Sequence, residues 1–139
     1  MQVTVNDKEV LSMLSRVLKR VKDMRPIMRD ISVLLLESVQ TNFKMEGRPK
    51  KWSPLSSSTK ASKIKRRGSW QPILVDSGLL RKSNDTDYGS NYAKVVNPTK
   101  YGIFHQLGTR KMPARPFMVL QDSDKANIID LMRRYIENA

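Results

Sequence analysis

Residues 101–117 read Y-G-I-F-H-Q-L-G-T-R-K-M-P-A-R-P-F. Aromatic residues, the only histidine, two glycines and two prolines crowd into this stretch. A short helix over Lys100–Leu107 is expected, stopped by Gly108, because glycine readily takes the left-handed backbone that ends a helix. Beyond it, Pro113 and Pro116 restrict the backbone, and Pro116–Leu120 reads as a strand. The segment is a shaped joint between two elements, and it contains no recognisable catalytic pattern.

Outward from this joint the chain divides into periodic elements. Toward the C-terminus, Asp122 or Ser123 starts a last helix with the apolar face Ile128, Leu131, Met132, Tyr135 and Ile136. On the N-terminal side, Asn84–Tyr88 and Tyr92–Asn97 are extended runs around Gly89-Ser90-Asn91, a hairpin signal. Asn97-Pro98 is a turn. Asp76 is positioned to cap a short helix through Leu79, Leu80 and Arg81.

At the start of the chain, Gln2–Val5 alternates as a short strand would, and Asn6 with Glu9 resembles a capping box. Val10, Leu14, Val17 and Val21, widened by Leu11 and Leu18, predict a first helix over Asp7–Lys22. Pro26 suits the first turn of a second helix. Its stripe of Ile27, Ile31, Leu34, Leu35 and Phe43 runs to about Met45, where Gly47 and Pro49 end it. The Leu34-Leu35-Leu36 run suggests burial on more than one side. Residues 47–72 show no clean period and read as a long basic loop, with a short helix near Ser57–Lys65. The resulting class is α+β: two long N-terminal helices and a C-terminal helix on a small, mostly antiparallel sheet.

With 139 residues, the chain is expected to form one domain over 1–139. Mean hydropathy is −0.51, and no apolar run approaches the ~18 residues of a membrane span. No signal-peptide pattern opens the chain, so synthesis in the cytoplasm is expected. Cysteine is absent, which removes disulfides and thiolate metal sites. Net charge is +13, which points to a polyanion or an acidic protein as partner. From Lys44 to Trp70 nine Lys or Arg residues face one acid, Glu46.

Each candidate site has a structural reading beside its chemical one. His105 has no metal-ligand companions in sequence and no G-x-S-x-G elbow to support a triad, so a packing or hydrogen-bonding role is favoured. Asp85 and Asp87 would share one strand face and could hold a divalent metal in a nuclease; a solvated hairpin face is the favoured reading. No nucleotide-binding glycine motif occurs, and no cofactor, metal or catalytic set is expected. Lys60, Lys63, Lys65, Arg66 and Arg67, flanked by Trp52 and Trp70, could contact a polyanion such as DNA. A solvated or protein-binding loop competes with that reading. Trp52-Ser53-Pro54-Leu55-Ser56 and Pro113-Ala114-Arg115-Pro116-Phe117 each set an apolar anchor beside proline. Such anchors serve either an interface or the domain's own core. Arg115, between two prolines, could pair with a carboxylate.

Taken in order, these elements resemble the phage virion morphogenesis family, the tail-completion and head–tail joining proteins of Mu-like and related tailed phages. The matching pieces are Thr41-Asn42-Phe43, then Trp52-Ser53-Pro54-Leu55 with Ser56 and Thr59. They continue with Ile73-Leu74-Val75-Asp76-Ser77-Gly78-Leu79-Leu80 and Ser83, and close with His105-Gln106-Leu107-Gly108 and Pro113-Ala114-Arg115-Pro116-Phe117. Serine at Ser77, where the family commonly has threonine, is a mild departure. The resemblance implies a non-enzymatic virion component, assembled in the bacterial host cytoplasm, with an α+β fold like neck and tail-terminator proteins. It also implies partners: further copies in a ring, and tail-tube and head-connector proteins. Structural or interface roles would fall on Trp52, Pro54, Leu55, Thr59, Leu79, His105, Gln106, Gly108, Pro113, Arg115, Pro116 and Phe117.

Overall fold

The computed structural model describes residues 8–69, 71–75 and 78–138. The expected strand at Gln2–Val5, the caps Asn6 and Asp76, Ser77 and the flanking Trp70 lie outside them. Among the described residues, six helices and two strands follow in the order α1 (Lys8–Lys22), α2 (Arg25–Lys44), α3 (Ser57–Arg67), α4 (Leu79–Lys82), β1 (Asp85–Tyr88), β2 (Ala93–Val96), α5 (Gly102–Leu107) and α6 (Asp122–Glu137). The fold is α+β, with helices around one antiparallel pair.

α2 is the element around which the rest packs. Pro26 sits in its first turn, where a missing N–H costs nothing. Its N-terminal half buries Met24, Ile27 and Ile31 against Ala93 of β2 and Ile128, Leu131, Met132 and Tyr135 of α6. Its C-terminal half carries Val39 and Phe43 into a second cluster with Trp52, Ile73, Leu80 and Phe117. α6 starts where expected, with Gln121 and Asp124 exchanging capping-box hydrogen bonds.

α1 is a helix almost as its periodicity predicts, yet none of its residues is buried. Leu11, Leu14, Leu18 and Val21 stay exposed. Contact with α6 is made by Arg20, which donates to the carbonyls of Tyr135 and Asn138, both at 3.1 Å, and lies over the Tyr135 ring.

The short helix expected near Ser57–Lys65 inside the basic segment forms as α3 and runs two residues further. Ser56 caps it by accepting the Thr59 N–H, and Gly68 ends it in left-handed conformation (φ 76°), giving an eleven-residue helix. One expectation needs correction. Pro116–Leu120 does not form a strand; the antiparallel sheet consists of β1 and β2 alone among the described residues. Two side-chain amides serve the backbone that a ladder would have served. Gln106 Oε1 accepts the N–H groups of Phe117 and Met118 at 3.0 and 2.9 Å, and its Nε2 donates to the Met118 carbonyl. Asn42, fully buried, donates through Nδ2 to the carbonyls of Phe117 and Val119.

Candidate functional site

The two proline-bearing motifs lie side by side and are bonded to each other. Trp52 Nε1 donates to the Pro116 carbonyl at 2.8 Å. Arg115 returns the contact: Nε donates to the Ser53 carbonyl at 2.9 Å and Nη2 to the Pro54 carbonyl at 3.3 Å. The guanidinium therefore sits on backbone carbonyls, not on the carboxylate expected from sequence. Beneath this crossing, Phe43 packs edge-on to Trp52 at 5.7 Å and against Phe117 at 5.3 Å. Trp52 and Phe117 are buried in the chain's own core, so the choice left open by the sequence falls on that side for both.

Local backbone geometry holds the crossing in place. Gly47, at φ 110°, lets the chain turn so tightly after α2 that a Cβ there would lie 2.6 Å from the Trp52 nitrogen. Glu46, the one acid of the basic stretch, has left-handed backbone as well; its carbonyl accepts the Trp52 N–H and its Oε1 accepts the Ile73 N–H. Gly108 ends α5 at φ 78°, and a Cβ there would lie 2.7 Å from the Ala114 nitrogen. The return is closed by the Arg115 N–H donating to the His105 carbonyl at 2.7 Å.

Beside the crossing opens a groove of about 830 Å³. Its walls bring together Pro54, Leu55, Thr59, Leu79, His105, Pro113 and Arg115, which are far apart in sequence. Trp52 and Phe117 are in the core, Pro116 is half-buried beside them, and Gln106 and Gly108 shape the return. Lys63, Arg66 and Lys111 add positive charge to the lining. Burial, then the nearby Arg115 charge, holds the His105 imidazole below its ordinary pKa. Its ring stands edge-on to Tyr101 at 6.0 Å. Burial likewise lowers Arg115 from its ordinary value, but arginine remains charged at any working pH.

The remaining candidates separate. Lys63 is buried and donates to the Pro72 carbonyl at 2.9 Å, so it faces inward and does not belong with an outward polyanion contact. Lys60, Lys65, Arg66 and Arg67 are exposed on α3. Asp87 pairs with Lys94, its cross-strand neighbour, at 3.5 Å, and Asp85 accepts the Thr86 N–H. Among the described residues no group of three or more His, Asp or Glu converges as a metal site would.

Sequence reasoning assigned no role to a polar cluster under α2. Asn42 Oδ1 accepts from Arg48 Nε at 2.9 Å, and Arg48 Nη2 donates to the Ser38 carbonyl and hydroxyl. Ser38 Oγ donates in turn to Asp124 of the α6 cap. The only available signal was a short amide residue on the apolar face of a helix, a placement that costs free energy unless every hydrogen bond is made.

A second exposed surface adjoins the groove. α5 turns Ile103, Phe104 and Leu107 outward, at 57, 52 and 71% exposure, beside Tyr101 on the groove wall. Three large apolar side chains on six residues of helix form a patch of the kind found at interaction sites.

Comparison with known proteins finds sequence relatives along nearly the whole chain. The model of the phage virion morphogenesis family matches residues 5–137. "Mu-like prophage FluMu G protein 1" of Haemophilus influenzae is 33% identical over 120 residues, 84% of this chain and 82% of that protein. "Mu-like prophage FluMu G protein 2" of the same organism is 32% identical over 139 residues, 95% and 92% of the two chains. "Putative capsid assembly protein G" of Escherichia phage Mu is 31% identical over 126 residues, 83% and 81% of the two. No solved structure matches.

Proposed function

The chain belongs to the phage virion morphogenesis family, and from that membership we propose that it completes the phage tail and joins it to the head. It does so by complementary surfaces and not by catalysis. Tail-tube proteins, head-connector proteins and further copies in a ring are its partners, met in the host cytoplasm during assembly. Among the described residues no helix is long and apolar enough to cross a membrane.

One observation carries this reading. The two motif segments spend their polar groups on each other's backbone, Trp52 on Pro116 and Arg115 on Ser53 and Pro54. They form a wall whose outer side is a groove and an apolar helix face, which supports docking of another protein. The exposed α5 residues test it without touching the core. In a phage lacking this gene, complementation with Phe104→Ser plus Leu107→Ser is expected to leave unjoined heads and tails, counted by electron microscopy. Wild-type titre from that variant would overturn the reading.

A further inference from the structure

We infer that the groove beside Arg115 binds an acidic, extended peptide segment of another protein, with a large apolar side chain seated on the groove floor. This inference rests on the assembly reading and names the chemistry of one partner.

Charge is the first argument. The groove carries Arg115 and the exposed Lys111, and none of its described lining residues is an acid. Arg115 is only 8% exposed, and its hydrogen bonds go to two neutral carbonyls. Its Nη1 makes no hydrogen bond among the described residues. A cation whose hydrogen bonds go only to carbonyl dipoles gains a charge-assisted bond when a carboxylate arrives.

Shape is the second. Leu55, Leu74, Leu80, Met112 and two prolines give the groove an apolar lining, and its volume lies in the upper part of the roughly 300–1,000 Å³ range of ligand sites. A phosphodiester backbone has positive charge to meet here but no apolar group to fill the floor. A peptide has both. Proline-rich walls are already ordered, so little entropy is lost when it docks.

The partner is a different chain. This one carries 26 basic and 13 acidic residues, and bringing two copies together at a basic groove opposes like charge to like.

The test uses the full chain and fluorescence polarisation. The probe is a short fluorescein-labelled peptide alternating glutamate with leucine. Controls are a glutamate–serine peptide, a lysine–leucine peptide and a short DNA duplex. Expected is saturable binding of the first probe, about tenfold weaker for the glutamate–serine peptide, as loss of a buried apolar anchor costs. Lys111→Glu and Leu79→Asp, both at exposed positions, should each weaken it by about tenfold while far-UV circular dichroism and the melting temperature stay unchanged. No binding, equal binding of the lysine–leucine peptide, or tighter binding of the duplex would overturn the inference; so would a gel-filtration oligomer that Lys111→Glu dissociates. If the two groove variants lose the peptide yet complement infectivity fully, the inference stands and the assembly role of the groove fails. If they lose infectivity without any peptide binding, the reverse holds.

Discussion

Trp52 and Pro116, 64 residues apart, are joined by one hydrogen bond from the indole N–H to the proline carbonyl at 2.8 Å. That bond ties the segment after α2 to the segment before α6, and the groove opens where they cross. Its neighbours Phe43 and Phe117 supply the apolar packing that makes the crossing a core feature. Substitutions there therefore act on stability first and on docking second.

Trp52→Phe keeps most of the ring and removes the donor; a cost of about 1–3 kcal/mol is expected from the unpaired carbonyl and the lost volume. Trp52→Ala should cost about 3–5 kcal/mol, a large share of an ordinary domain's stability. Urea titration followed by far-UV circular dichroism checks both. Equal midpoints for the two variants would show that ring packing is not what the tryptophan contributes.

Gln106 stands in for a missing strand, so the chemistry of its replacement should matter more than its size. Gln106→Met leaves the Phe117 and Met118 N–H groups without an acceptor, at about 1–3 kcal/mol for each that stays dry. Gln106→Glu keeps an acceptor and should lose less. Equal losses on thermal melting would contradict the assignment.

Gly108→Ala meets two obstacles at once, a positive φ and a Cβ 2.7 Å from the Ala114 nitrogen. A cost of about 1–3 kcal/mol is expected from the backbone conformation alone, and more from the contact. Amide exchange should accelerate at the Arg115 N–H, which is held by the His105 carbonyl.

His105 couples the groove to pH. Its folded pKa lies below the ordinary imidazole value, so the unfolded chain takes up the proton first as pH falls. Its contribution is flat above about pH 6.5, declines as acid is added below that, and levels off under the folded pKa. His105→Gln should flatten this part of the stability–pH curve. An imidazole titration by NMR with a midpoint above 6.5 would reverse the sign and refute the account.

The apolar face of α1 makes the opposite kind of prediction. Leu14→Glu and Leu18→Glu replace exposed residues and should change monomer stability by no more than about 0.5 kcal/mol. A loss beyond 1–2 kcal/mol on denaturant titration would mean that the face is covered in solution.

Several elements were legible because their signals are local. Pro26 and the Ile27–Ile31 spacing mark α2, and Gly89-Ser90-Asn91 marks the hairpin, with Gly89 donating its N–H to the Tyr92 carbonyl. α3 was partly legible. A short helix near Ser57–Lys65 was expected, but its extent to Arg67 was not, because a helix that buries only Lys63 shows no apolar period. Pro116–Leu120 misled because its backbone groups are met by the side chains of Gln106 and Asn42, and no rule of spacing along the chain foresees a side chain acting as a strand. The groove residues were named from their motifs, but their meeting in one place was not readable.

What this chain's residues determined by themselves is where helices start and stop, since caps, prolines and periodicity act within a few positions. They also determined the excess of positive charge, which is a sum over residues. Only tertiary structure decided which apolar groups are buried. The Leu11–Val21 face has the stronger helical pattern and remains exposed, whereas Trp52, outside any helix, is sealed in the core. Burial depends on what another part of the chain brings opposite, and that partner, Phe117 on the far side of the Trp52–Pro116 bond, lies beyond the reach of any local pattern.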